Sequence, residues 1–251
     1  MNVIHCSTIA AATPRWGNNM AGLSITSVGE ELLDDPSADP AAVATSLRNI
    51  GRANRWFGGA TAVRFGLART LAGVPRGTTL TLLDLGTGMG DLPRVAVRWA
   101  VARGMRLVPA GLELNRVAAR LAAGAGVPTA LACAGAPPIR DKSVDVVLVS
   151  QVAHHLTGAS VVDLLRICDR LARKAVIVAD LRRSPIAPSL FWCGARAFGF
   201  DPVTVADGMT SIRRGFIPNE MRSFMTRAGI EGQVYRRPGF RLVATWLPRA
   251  V

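Results

Sequence analysis

Apolar and polar positions change their period along this chain, and the changes mark its elements. Over residues 29–73 the apolar positions recur at helical spacing. Asp39-Pro40 supplies an N-cap followed by proline in the first turn, and Val43, Leu47, Ile50 and Asn54 then share one stripe. Gly58-Gly59 interrupts the stripe, and a second helix is predicted to about Ala72. Residues 29–75 thus read as an N-terminal helical cap. A leader is expected over residues 1–28, with Met20 as an alternative start.

From Thr79 the rhythm becomes strand, turn, helix. The segments "TLTLLDL", "MRLVPAGLEL", "PTALACA", "SVDVVLVSQ" and "KAVIVADL" read as five strands, with helices predicted over 92–103, 115–123 and 159–172. Strands that are apolar throughout belong to a parallel sheet covered on both faces. Residues 184–215, with three prolines and the apolar "SLFWCGARAFGF", break the alternation and predict an inserted helix and loop over the sheet edge, a lid. "IPNEMRSFMTRAG" then reads as a capped helix, and "QVYRR" with "FRLVATWL" as a closing hairpin. The expected class is α/β, a doubly wound sheet over residues 76–251 with an N-terminal helical cap and a helical insertion after strand five.

Composition narrows this picture. A length of 251 residues with 49% hydrophobic content suits one such domain with additions better than two full domains. No apolar run reaches the roughly 18–20 residues that span a bilayer. The N-terminus lacks a basic segment ahead of its apolar patch, so no secretory signal is expected. Cys6, Cys133, Cys168 and Cys193 show no CxxC spacing, which fits a reducing cytoplasm and argues against a zinc site. The net charge of +13 raises a nucleic-acid reading. However, all but two of the 30 basic residues are arginines, spread along the whole chain beside abundant Ala, Gly, Val and Pro, as a GC-rich genome yields by codon bias. No aromatic-basic alternation of the kind that stacks bases accompanies them. Nucleic acid is therefore not the expected partner.

The densest chemical signal is "LLDLGTGMGD", residues 82–91, at the junction of the first strand and its helix. Such junctions bind nucleotides. A phosphate-binding loop of the Gly-Lys-Ser/Thr kind fails here, because Gly90 is followed by Asp91. A dinucleotide fingerprint counted from Gly86 and Gly88 ends on the same aspartate, which repels a pyrophosphate from the positive helix end and weakens that reading. S-adenosylmethionine carries no phosphate, and it has a sulfonium and an ammonium. Gly86, Gly88 and Gly90 let backbone approach it closely, while Asp84 and Asp91 accept hydrogen bonds from the ammonium. The next strand ends in "GLELN", which puts Glu113 where a carboxylate takes both ribose hydroxyls.

These segments, with "APPIRDKSVDVVLVSQVAHHL" (136–156) and "VIVADL" (176–181), resemble the class I S-adenosylmethionine-dependent methyltransferases of the small-molecule type, over most of residues 80–181. The tail "DLRRSPIAPSLFW" to "FIPNEMRSFMTRAG" is similar to a bacterial subgroup associated with phenolic, pyrone or quinone-type metabolites, a secondary-metabolite setting. The resemblance implies a Rossmann-like, seven-stranded sheet with a reversed last strand and the cofactor across the ends of strands one and two. It adds Thr87, Leu114, Ser150 and Gln151 to the cofactor contacts. Members commonly offer the adenine amino group an aspartate after strand three. Here the aligned residue is Cys133, followed by Ala134, which leaves adenine recognition to backbone groups or an unmatched residue.

Methyl transfer is an in-line displacement, and a base is needed only where the acceptor must lose a proton. His154 and His155 follow the fourth strand and are the candidate bases, against the plainer reading that they pack or hydrogen-bond a loop. Arg182-Arg183 and Arg213-Arg214 flank the insertion, where one arginine from each pair could clamp a carboxylate or phenolate. Paired surface charge is the competing account. Trp192 and its apolar neighbours are candidates for lining an acceptor pocket. The expectation is O-methylation of a small aromatic or enolic metabolite by a cytoplasmic enzyme without a metal, and a homodimer is compatible with it. The alternatives are C- or N-methylation of a quinone- or lipid-like acceptor, an NAD-type oxidoreductase and an RNA methyltransferase.

Overall fold

The computed structural model describes residues 31–35 and 37–249, so the expected leader, with His5 and Cys6, lies outside the described residues. Helix α1 (Pro40–Trp56) begins as its sequence requires, with the Asp39 carboxylate accepting from the Ala42 amide at 2.9 Å. Gly58, at φ +88°, turns the chain into α2 (Gly59–Thr70). A seven-stranded sheet follows in the order β3-β2-β1-β4-β5-β7-β6. Its members are β1 (Thr79–Leu85), β2 (Arg106–Glu113), β3 (Thr129–Leu131), β4 (Val144–Ser150), β5 (Ala172–Leu181), β6 (Gln233–Arg237) and β7 (Arg241–Trp246). Only β7 runs against its neighbours, as the reversed last strand implies.

The strands are apolar on both faces because both faces are covered. Leu83, Leu85, Val147, Val149, Val176 and Val178 point to one core with α5 (Gly158–Leu171) and α8 (Pro218–Ala228). The alternate residues Leu80, Leu82, Val146, Leu148 and Ile177 point to the other, with α2 and α3 (Asp91–Val101). Helix α2 lies so close to the sheet that a Cβ on Gly66 would collide with Ile177 Cγ2. Of the two N-terminal helices, then, α2 belongs to the sheet's own layer, while α1 packs across α4 (Arg116–Gly124) and the insertion.

The insertion departs from its expectation in two ways. It is two helices, α6 (Ala187–Ala197) and α7 (Pro202–Arg214), and the second starts on Asp201-Pro202, with Asp201 accepting from the Thr204 amide at 2.9 Å. It lies over the C-terminal ends of the central strands beside α1, not over an edge, since the edge strands are β3 and β6. Strand β3 is also shorter than expected. After Leu131 the chain makes one further bond to β2, Ala132 N to Glu113 O at 3.1 Å, and then turns away through Cys133 and Ala134. Among the described residues no helix is long and apolar enough to cross a membrane.

Candidate active site

Strand order reverses between β1 and β4, and the crevice at the carboxyl ends of those strands is where open α/β sheets take their ligands. A cavity of about 660 Å³ lies there, within the roughly 300–1,000 Å³ usual for small-molecule sites. Its floor is the turn after β1. Gly86, Gly88 and Gly90 all have positive φ, at +74°, +55° and +76°. The Gly86 and Thr87 amides are tied to the Leu112 carbonyl, at 2.8 and 3.1 Å, which holds the turn against the end of β2.

The three glycines do different work. A Cβ on Gly86 would collide with Val152 Cγ2, and one on Gly90 would press on Val127 and Ala122, so these two serve packing under and beside the turn. A Cβ on Gly88 would meet no protein atom within 4 Å, and Gly88 lines the cavity, so the space left by its missing side chain is ligand space. Glu113 is fixed by three backbone amides: Oε2 accepts from Gly88 at 2.8 Å, and Oε1 from Leu114 and Asn115 at 2.9 and 3.0 Å. Oε1 is thereby filled, and Oε2 keeps acceptor capacity for a ribose hydroxyl.

Asp84 is 2% exposed, and its Oδ1 has no hydrogen-bond partner among the described residues. Burial lifts its carboxyl well above the ordinary 3.8, and the nearby charges of Asp91 and Glu113 add to the effect. Burial also raises Asp91, against the lowering effect of a hydrogen bond from Asn54 Nδ2 at 3.0 Å. Two carboxyls costly to ionise, one with an orphaned oxygen, make a place for a cation. A phosphate would meet acid where it needs donors. The donor and acceptor set therefore fits S-adenosylmethionine.

Of the other expected cofactor contacts, Leu114, Cys133, Ala134, Ser150 and Gln151 all line the cavity, whereas Gly90 does not. Gln151 adopts φ +56°, a left-handed conformation for a residue with a side chain.

Beyond the turn the cavity opens into an apolar chamber. Single faces of three helices wall it: Ser46, Leu47, Ile50 and Phe57 of α1 and the residue after it; Ala187, Leu190 and Phe191 of α6; Thr204, Gly208, Ser211 and Ile212 of α7. His154 and His155 sit where turn and chamber meet, on a 3-10 turn after β4, their rings 4.3 Å apart. His154 is 5% exposed, and its Nδ1 lies 2.7 Å from Oδ1 of the wholly buried Asp180 at the end of β5. Burial alone would raise Asp180, but the charge and hydrogen bond of His154 and the Leu181 amide hold its carboxyl below the ordinary value. The carboxylate accepts from Nδ1, and Nε2 has no hydrogen-bond partner among the described residues. His155 faces the buried Glu31 carboxylate, with Nε2 4.0 Å from Oε2, and its Nδ1 lies 3.4 Å from Arg214 Nη1.

The arginine pairs are not brought together as a clamp. Arg182 stacks over Phe240, and Arg183 turns the opposite way to Glu220 and the Gly215 carbonyl. Arg213 is exposed, and Arg214 bonds Glu31 Oε1 at 3.1 Å. Trp192 does not line the cavity, whereas Ala187, Leu190 and Phe191 of α6 do, at helical spacing. The arginine that does line the cavity is Arg241, the one charged residue of the fully buried strand "RLVATW". Burial lowers it to about 10, against a raising effect of Asp180.

Comparison with known proteins bears on the domain and its fold. Residues 83–179 match a family described as a methyltransferase domain. An S-adenosylmethionine-dependent methyltransferase of Aquifex aeolicus superposes at TM-score 0.54 and 14% identity, over 84% of this chain and 99% of that one. An O-methyltransferase family protein of Burkholderia thailandensis gives TM-score 0.61 at 13% identity, over 88% and 63%. The magnesium protoporphyrin IX methyltransferase of Synechocystis, solved with bound S-adenosylhomocysteine (SAH), gives 0.51 at 13% identity, over 82% and 87%. Likeness at these identities is of fold. No curated protein gives a significant match to the chain.

Proposed function

We propose that this chain is an S-adenosylmethionine-dependent methyltransferase, a reading supported by the match of residues 83–179 to a methyltransferase domain, and that it methylates an oxygen of a small, largely apolar phenolic or enolic acceptor. One observation supports the reading: a buried histidine, held by a buried aspartate, has an unpartnered Nε2 and lines the cavity that the cofactor turn shares with the apolar helix faces.

When bound, the cofactor supplies an electrophilic methyl carbon on a sulfonium. The residues of the chain supply position and proton transfer. Asp84 and Asp91 take the cofactor's ammonium, Glu113 a ribose hydroxyl, and the chain around Cys133 and Ala134 its adenine. The chamber formed by α1, α6 and α7 excludes water and holds the acceptor ring against Phe57, Phe191 and Phe240. His154 Nε2 accepts the proton of the acceptor hydroxyl, and Asp180 stabilises the imidazolium that results. A chamber walled by helices on three sides favours a small molecule over a nucleic acid.

His154→Gln should lower methyl transfer to phenols by about 10²–10⁴-fold. It should also remove the acid limb of the pH–rate profile, and SAH affinity should stay within about twofold of wild type. Transfer of labelled methyl groups to a panel of phenols and enols, at several pH values, measures this. A variant with the wild-type rate and pH profile on every methylated acceptor would defeat the base assignment.

A further inference from the structure

Four residues distant in sequence, all lining the cavity, form one line of hydrogen bonds beside the cofactor turn. Arg241 Nη1 donates to Gln151 Oε1 at 2.8 Å, Gln151 Nε2 donates to Asn54 Oδ1, and Asn54 Nδ2 donates to Asp91 Oδ2 at 3.0 Å. Amide orientations are ambiguous in isolation, since oxygen and nitrogen look alike. Here one end removes the ambiguity. A guanidinium only donates, so Gln151 must turn its oxygen to Arg241, and its amide nitrogen then donates to Asn54, whose own amide nitrogen faces Asp91. Arg241 is further anchored through Nε to the Phe57 carbonyl at 2.9 Å, and Asn54 is 3% exposed. The line joins β7, the exit of β4, α1 and the start of α3.

We propose that Asn54 is a positioning residue for the cofactor, acting through Asp91. It holds one carboxylate oxygen so that the other is presented to the cofactor's ammonium, and it thereby ties the chamber helix α1 to the cofactor turn. The inference rests on the reading of Asp91 as an ammonium ligand. It also accounts for Gln151, whose side chain, on a left-handed backbone, bridges Arg241 and Asn54.

The test is a double-mutant cycle read by calorimetric titration with SAH. Asn54→Leu keeps roughly the side-chain size and removes the donor without adding a buried charge, and Asn54→Ala serves as a second variant. In the wild-type background each should weaken SAH binding about tenfold. In the Asp91→Asn background, itself weakened, each should change affinity by less than about twofold, because there is no charge left to position. An equal loss in both backgrounds would assign Asn54 a general structural role and overturn the proposal. So would unchanged affinity on Asn54→Leu where Asp91→Asn does weaken binding. If Asp91→Asn left SAH binding intact, the ammonium reading of Asp91 would fall, and this inference with it.

Discussion

Gly88→Ala should fold and yet bind SAH at least about 10²-fold more weakly than wild type, a loss near 2.7 kcal/mol. The added Cβ meets no protein atom within 4 Å, so nothing in the core has to move. Its cost to the fold is the left-handed backbone at φ +55°, on the order of 1–2 kcal/mol for a residue other than glycine. The methyl group instead stands in the space that the cofactor needs. Gly86→Ala is the contrasting control. There the Cβ strikes Val152 Cγ2 beneath the turn, and the expected result is a lowered melting temperature. Paired thermal melts and SAH titrations separate the two. A Gly88→Ala protein that binds SAH as wild type does would mean that the turn is not the cofactor's seat.

Asp84→Asn should stabilise the ligand-free protein at neutral pH while weakening SAH binding by roughly 10–150-fold, the value of a hydrogen bond to a charged group. The stability half follows from the sign of the shift. Asp84's folded pKa stands well above 3.8, so between 3.8 and that raised value the native state keeps a proton that the unfolded chain has lost. Stability therefore falls as pH rises through this window, and above it the fold carries the full cost of a buried charge. Asparagine removes that cost, and with it the partner of the ammonium. For the same reason wild-type SAH affinity should fall on acidification at a pH above the ordinary 3.8, and the Asp84 contribution to that fall should vanish in the variant. Melting curves of the free protein and titrations across pH measure both effects. An Asp84→Asn protein that melts lower and binds SAH normally would make Asp84 a structural residue.

Residues whose placement is set by their own backbone neighbourhood are legible in the sequence. The turn at 86–91 requires glycines wherever the chain enters the left-handed region, and a carboxylate at the end of the next strand lies beside that turn whatever the rest of the fold does. The His154 position followed in the same way, from the exit of an apolar strand. The double helix of the insertion was also within reach, since Asp201-Pro202 repeats the capping signal of Asp39-Pro40. Residues whose role depends on distant partners were not legible. Consecutive arginines on extended backbone diverge, so the direction of Arg182 toward Phe240 and of Arg183 toward Glu220 is decided by where α8 and the β6–β7 turn pack. Trp192 and Phe191 are equally apolar, and only the docking of α6 says which one turns inward. Asn54 and Arg241 lie 187 positions apart and meet through Gln151 alone. The one local hint was a charge in an otherwise buried strand.

The account stands on the turn at residues 86–91 being a seat for a cationic amino-acid cofactor and a poor one for diphosphates. Calorimetric titration of the wild-type protein at neutral pH with SAH and, separately, with NADH tests this most directly. The account predicts saturable one-to-one binding of SAH and no heat of binding from NADH. Saturable binding of NADH with no response to SAH would contradict it.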